Sequence, residues 1–222
     1  MILQINAIAK SYKRKQVLKN VAFQADNGCC IGILGGNGAG KSTLLSILAG
    51  IQKPDSGCVL YNGVDLLKDG SARNAVIGYV PQGTPLIPEL SAKDNLLLWY
   101  DRNTMRKELE DGLLKLLGIA EFLNVPVKKM SGGMKKRLSI GCAVAGRPPV
   151  LLLDEPTAAL DLVCKRDIAD YLSSYKKAGG IIIMTTHDIS ELAFCDMCYI
   201  MKDGVLHPYV YDCDVNALIE QL

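Results

Sequence analysis

A membrane-crossing helix needs about 18 successive apolar residues, and no stretch of this chain comes close. The opening, MILQINAIAKSYKRK, alternates as a strand does and has neither the apolar core nor the cleavage site of a secretory signal. Charge of one sign is scarce too. The formal balance is +2, too small to suggest a protein that holds nucleic acid or a membrane surface by electrostatics. Internal repeats, low-complexity tracts and long linkers are all missing. Cysteine is plentiful, but it forms no framework. The eight cysteines (29, 30, 58, 142, 164, 195, 198 and 213) include several inside apolar runs, where a thiol packs as a small hydrophobe. Cys195 and Cys198 make a C-x-x-C, yet no second pair at zinc-site spacing accompanies them. These features predict a cytoplasmic chain with buried thiols.

The 222 residues suffice for one domain, or one domain with an insert, around a proper core. Three short apolar runs lack alternation: CIGIL (30–34), VLLL (150–153) and IIIM (181–184). Runs of this kind suit strands covered on both faces, as in a parallel sheet. A helical pattern follows each, over 41–49, 163–177 and 189–194, which signals an α/β fold. The first 30 residues and the 58–80 region read differently. Val21, Phe23 and Ala25 alternate with polar neighbours, Asn62-Gly63 is a hairpin turn, and Asp203-Gly204 marks another turn. An antiparallel sheet beside the parallel core is expected there. Between Gln82 and Ser131 helical signals dominate, notably over 105–117, so an inserted helical subdomain is predicted. The last residues, 214–222, read as weakly helical.

Gly35-Gly36-Asn37-Gly38-Ala39-Gly40-Lys41-Ser42 fits G-x-x-x-x-G-K-[ST], follows the CIGIL strand and opens the next helix. Glycines let the backbone wrap closely around phosphate, with N–H groups pointing inward and the helix dipole behind them. Lys41 is expected to reach the β- and γ-phosphates, and Ser42 to hold Mg²⁺. The VLLL run then delivers Asp154 and Glu155 to a strand end, where open α/β sheets place their ligands. Successive side chains diverge there, so Asp154 suits Mg²⁺ through a water shell, while Glu155 faces a water attacking the γ-phosphate. The IIIM run ends likewise, at His187-Asp188, and position alone leaves a structural and a catalytic role for His187 equally open. Gln82, after a proline, reads by itself as a loop residue.

KMSGGMKKRL (129–138) sets a puzzle. Ser131-Gly132-Gly133 opens a helix, and Lys135, Lys136 and Arg137 crowd its first turn, the end that favours acidic side chains. Their side chains are expected to be a solvated helix end, with Leu138, Gly141, Cys142 and Ala145 facing the core.

Taken together and in order, these residues resemble the nucleotide-binding subunit of ABC transporters over essentially the whole chain. The resemblance implies a P-loop NTPase parallel-sheet core with an N-terminal antiparallel β subdomain (core and β parts 1–83 and 147–222) and an inserted α-helical subdomain (84–146). It also implies a role for each site residue. By it, Tyr12 stacks on adenine, and the phosphate loop, Gly35 through Thr43, holds the phosphates of ATP. Gln82 is the glutamine loop and joins Ser42 and Asp154 around Mg²⁺. MSGGM (130–134) is the family signature, LLLDEPTAALD (151–161) carries the Mg²⁺ strand, the catalytic Glu155 and the D-loop ending in Asp161, and His187 is the switch histidine. The usual signature is Leu-Ser-Gly-Gly-Gln; Met130 and Met134 depart from it, which implies a tuned site rather than a dead one.

The resemblance further implies a second ATP-binding subunit, identical or different, packed head-to-tail so that Ser131, Gly132 and Gly133 of one chain close over ATP held by the other. It implies a separate transmembrane permease, docked near Gln82 and residues 86–96, that holds the subunit at the cytoplasmic face. No nucleic acid is expected. The alternatives are a soluble ABC ATPase acting on DNA or ribosomes, a small-molecule P-loop kinase, which leaves Gln82 and His187 idle, and a nucleotide sensor without hydrolysis.

Overall fold

The structure is a computed structural model and describes residues 1–158 and 160–210, so the expected helix at 214–222 and Cys213 lie outside the described residues. The chain opens with β1 (Ile2–Tyr12), β2 (Lys15–Asp26) and β3 (Cys30–Leu34), then α1 (Lys41–Leu48), β4 (Ser56–Tyr61) and β5 (Val64–Asp65). It continues through α2 (Gly70–Val76), β6 (Ile77–Val80), α3 (Ala92–Leu96), α4 (Arg102–Asp111) and α5 (Leu113–Leu116). Then come α6 (Gly132–Ala143), β7 (Val150–Asp154), α7 (Leu162–Lys177), β8 (Ile181–Thr185), α8 (Ile189–Leu192), β9 (Met197–Lys202) and β10 (Val205–Tyr209).

Alternation in β2 buries Val21, Phe23 and Ala25 on one face, and β2 pairs antiparallel to β1 with Phe23 opposite Ile5. β4 pairs with β1 on its other side, and Asn62 (φ 48°) and Gly63 (φ 86°) make the two-residue turn into β5. The resulting sheet, β2-β1-β4-β5, is the expected antiparallel unit. The second sheet runs β10-β9-β3-β8-β7-β6, parallel from β9 to β6 and closed by the antiparallel β9–β10 hairpin over Asp203-Gly204. Every residue of β3, β7 and β8 is buried, as their unbroken apolar runs predict.

Two expectations fail locally. Residues 77–80 are not antiparallel: β6 pairs parallel to β7, with Val80 beside Leu153. β6 ends the sheet order, so it is half-covered and its burial alternates, which imitates an antiparallel strand. The helix expected over 105–117 breaks at Gly112. The buried Glu108 carboxylate curls beneath the break and accepts from Leu113 N at 2.8 Å, in the space that a Cβ on Gly112 would occupy.

Alternate residues of each parallel strand serve opposite cores. Leu151, Leu153, Ile182 and Met184 pack with Leu138, Ile140 and Ile168 of α6 and α7. Leu152, Ile31, Ile33 and Ile183 pack with Leu44 and Leu48 of α1 and with Ile5 and Val21 of the antiparallel sheet. Each such side chain contributes about 1.5–3 kcal/mol by leaving water, and together they hold the strand ends that carry the site. Among the described residues, no helix is long and apolar enough to cross a membrane.

Candidate nucleotide site

The loop between β3 and α1 is shaped by its glycines. Gly35 (φ 154°) passes so close to β9 that a Cβ would stand 2.4 Å from Met201 O, and Gly40 takes φ 112° where it launches the helix. Lys41 turns back through the loop. Its Nζ donates to Gly35 O at 2.6 Å and Gly36 O at 3.3 Å, and lies 3.2 Å from His187 Nε2. The side chain is 6% exposed. Burial lowers its pKa, while the Glu155 and Asp154 carboxylates push the other way. Ser42 is exposed and Thr43 half-buried at the first turn of α1.

β7 and β8 end side by side, with Asp154 opposite Thr185. Asp154, 3% exposed, accepts from Thr185 Oγ1 at 2.6 Å. Glu155 then takes φ 49°, and its N–H donates to the same Thr185 hydroxyl at 3.1 Å. That reversal separates the two carboxylates. The Glu155 side chain reaches outward, where Oε2 accepts from Gln82 Nε2 at 2.9 Å and Oε1 lies 3.1 Å from His187 Nε2. A single imidazole nitrogen serves one neighbour at a time: carrying its proton it donates to Glu155, and without one it accepts from Lys41. The fold thus gathers Lys41, Gln82, Glu155 and His187 from four different loops. A cleft of about 220 Å³ lies along Gly36–Thr43 and is bounded by Val17, Gln82 and Glu155. Thr185 was legible only as part of an apolar strand; its role follows from the register that places it against Asp154.

Other site residues lie apart from this cleft. Ser131 caps α6, its Oγ accepting from Met134 N at 3.2 Å. Gly133 is pressed against α7, where a Cβ would meet Cys164 Sγ at 2.5 Å. Asp161 caps α7 by accepting from Cys164 N at 2.9 Å, a backbone hydrogen bond that holds its carboxyl below the ordinary value. None of Ser131, Gly132, Gly133 and Asp161 lines the cleft; Ala159 lies outside the described residues. Tyr12 stands at the β1–β2 hairpin, its hydroxyl bonded to Gln52 and its ring 5.6 Å from the Lys10 ammonium. A second cavity of about 600 Å³ flanks the loop, and it is lined by Arg14–Val17, Lys19 and the β9–β10 turn rather than by Tyr12.

Two of the three cations expected to be a solvated helix end, Lys136 and Arg137, turn inward, while Lys135 is half-buried. Lys136 is 5% exposed and its Nζ donates to Pro81 O and Gln82 O. The Arg137 guanidinium donates to Leu117 O at 3.3 Å, lies 3.7 Å from the Asp167 carboxylate and covers the Phe122 ring. These two side chains point into the packed faces of α6, where they meet backbone carbonyls rather than water. Leu138, Gly141 and Cys142 face the core as expected, and Ala145, just beyond the helix and half-buried, packs against the same core. Met130 is buried and Met134 packs against the same core, which accounts for apolar residues at both outer signature positions.

A family model described as ABC transporter matches residues 18–158. The chain belongs to this family. It is 33% identical over 208 residues to the linearmycin resistance ATP-binding protein LnrL of Bacillus subtilis (strain 168), covering 91% of this chain and 67% of that protein. It is 35% identical over 209 residues to the Nod factor export ATP-binding protein I of Sinorhizobium fredii, covering 91% of this chain and 60% of the relative. This chain therefore spans roughly two thirds of the length of such relatives. Among solved structures, a dimeric ATP-binding cassette in a post-hydrolysis state with ADP and Pi superposes with a TM-score of 0.83 at 30% identity, covering 92% of this chain and 96% of that one. An ATP-binding subunit of an ABC transporter superposes with a TM-score of 0.84 at 25% identity over 100% of this chain and 93% of the other. As an ABC ATP-binding subunit, the chain binds and hydrolyses ATP in the service of transport.

Proposed function

We propose that two such subunits, identical or different, pack head-to-tail and drive a separate membrane-spanning permease from the cytoplasmic face. The observation that carries this reading is the separation of Ser131, Gly132 and Gly133 from the cleft of their own chain. A capped helix N-terminus with free N–H groups is an anion site, and a partner's nucleotide supplies the anion. The dimeric state of a similar cassette bound to ADP and Pi supports it. Relatives named for export and for drug resistance weigh against an ATPase of DNA or ribosomes. Residues 84–146 would move as the subdomain that carries the signature and meets the permease.

Within the pair, each residue has a role. Tyr12 stacks on adenine. The N–H groups from Gly35 to Thr43, with Asn37 and Gly38 at the tip and Ala39 and Gly40 at the helix entrance, surround the phosphates. Lys41, whose ammonium stands within the loop against the carbonyls of Gly35 and Gly36, reaches the β- and γ-phosphates. Glu155 accepts the proton of the attacking water, His187 steadies the γ-phosphate, and Asp161 meets the partner across the interface. The hydroxyl of Ser42, the carboxylate of Asp154 and the amide oxygen of Gln82 are hard oxygen donors, a set that fits Mg²⁺. When bound, Mg²⁺ would neutralise phosphate charge and fix its orientation.

The test is Glu155→Gln. It should keep ATP affinity, lose turnover by about 10²-fold as expected for a missing general base, and accumulate ATP-bound dimers in light scattering. Near-normal phosphate release would remove Glu155 from the role. Phosphate appearing on a small acceptor rather than water would turn the reading towards a kinase.

A further inference from the structure

Lysine is almost never fully buried without a carboxylate partner. Lys136 is 5% exposed, and among the described residues no ion pair holds it. Its Nζ instead donates to two backbone carbonyls of the glutamine loop, Pro81 O at 3.3 Å and Gln82 O at 3.4 Å. Burial lowers its pKa, opposed only by the more distant fields of Asp154, Glu155 and Glu191. A methionine of similar length would fill this space without a desolvation penalty. Stability alone therefore gives no reason for a cation here.

Position does. Lys136 stands in the second turn of α6, whose first residue is capped by Ser131. The loop it grips emerges from β6, which is paired to β7 in the parallel sheet. The side chain of Gln82 meanwhile donates to Glu155. A continuous line of contacts thus runs from Glu155 through Gln82 and Lys136 to the signature loop. The sheet end of that line is held by the β6–β7 ladder, and the α6 end is joined to it through the Lys136 ammonium.

We propose that Lys136 is a positioning residue that registers the signature helix against the glutamine loop, so that the nucleotide cleft of one subunit sets where Ser131, Gly132 and Gly133 stand over the partner's nucleotide. The proposal rests on the head-to-tail reading of the pair.

Lys136→Met keeps the stem and removes the donor. It should melt no lower than the parent chain and bind ATP equally well by calorimetry. Its kcat should fall about tenfold or more, since misplacing a group by about 1 Å costs up to about 10²-fold. Lys136→Arg, which keeps a cationic donor, should recover most of that loss. A lower melting temperature with proportionate loss of activity would mean packing alone, and unchanged kcat would overturn the proposal outright.

Dimers purified through two different tags locate the effect. In the first, one chain carries Lys41→Ala with Lys136→Met and the partner is unaltered, so the single live cleft uses the altered signature. In the second, Lys41→Ala is on one chain and Lys136→Met on the other, so the live cleft uses an intact signature. Relative to a dimer carrying Lys41→Ala alone, the first should lose about tenfold by the same misplacement and the second should change little. Equal losses, or loss only in the second, would overturn the proposal. A reference dimer with no turnover at all would overturn the head-to-tail reading instead, and the proposal with it.

Discussion

Thr185 is fully buried, and its hydroxyl joins the Asp154 carboxylate to the backbone of Glu155. It donates to Asp154 and accepts from Glu155 N–H, so one oxygen orients one carboxylate and pins the backbone reversal of the other. Thr185→Val has nearly the same shape and removes both bonds. It should cost about 1–3 kcal/mol in urea unfolding, the range for leaving buried polar groups unmatched, and should lower turnover; Thr185→Ser should restore both. Gly133 is equally constrained. With Cys164 Sγ at 2.5 Å from any added Cβ, Gly133→Ala should destabilise by about 1–3 kcal/mol through overpacking, and Cys164→Ala in the same chain should recover part of it. The thiols answer to the same burial. Cys142 is pushed up to about 12 by desolvation, so it should resist alkylation in the native chain at mildly alkaline pH and react once the chain is unfolded.

Aspartates take part in the N-terminal caps of α3, α4 and α7. Ser91 and Asp94 form a reciprocal cap on α3, Asp101 accepts from Asn103 N and Thr104 N on α4, and Asp161 caps α7. All three carboxyls are held below their ordinary values. The Ser91 hydroxyl is the chief cause at Asp94, the Thr104 hydroxyl at Asp101 and the Cys164 N–H at Asp161. A depressed folded pKa means that the unfolded chain takes up protons first as pH falls. The caps therefore contribute fully at neutral pH, and that contribution is lost as pH drops below about 4 through the folded values. Melting followed by circular dichroism should show the midpoint falling in that acid range. Asn at all three positions should flatten the fall. Helix α5 depends on a different device. Its break from α4 relies on Glu108, whose carboxylate is also 2.6 Å from Arg147, a residue far along the chain that the 105–117 periodicity could not announce.

For the whole molecule, the head-to-tail pair proposed above makes turnover a property of pairs, since the signature stands apart from the cleft of its own chain. Specific activity should fall as the protein is diluted below its self-association range, with mass photometry reporting the pairs. Constant activity from verified monomers would contradict it. Ser131→Arg chains mixed with Lys41→Ala chains should regain one working site, because each supplies what the other lacks.

The phosphate loop, the three fully buried strands and the acid pair at a strand end are all legible in the linear chain. Each is written within a few neighbouring residues: glycine spacing forces the loop, and an unbroken apolar run has to be covered on both faces. Three features emerge from the fold alone: residues 77–80 join the parallel sheet, Thr185 bonds both the Asp154 carboxylate and the Glu155 N–H, and Lys136 and Arg137 turn inward. A linear pattern records which side chains avoid water. It does not record which distant carbonyl or carboxylate will be waiting when a charged one is buried, because that partner is brought there by packing between segments far apart in the chain.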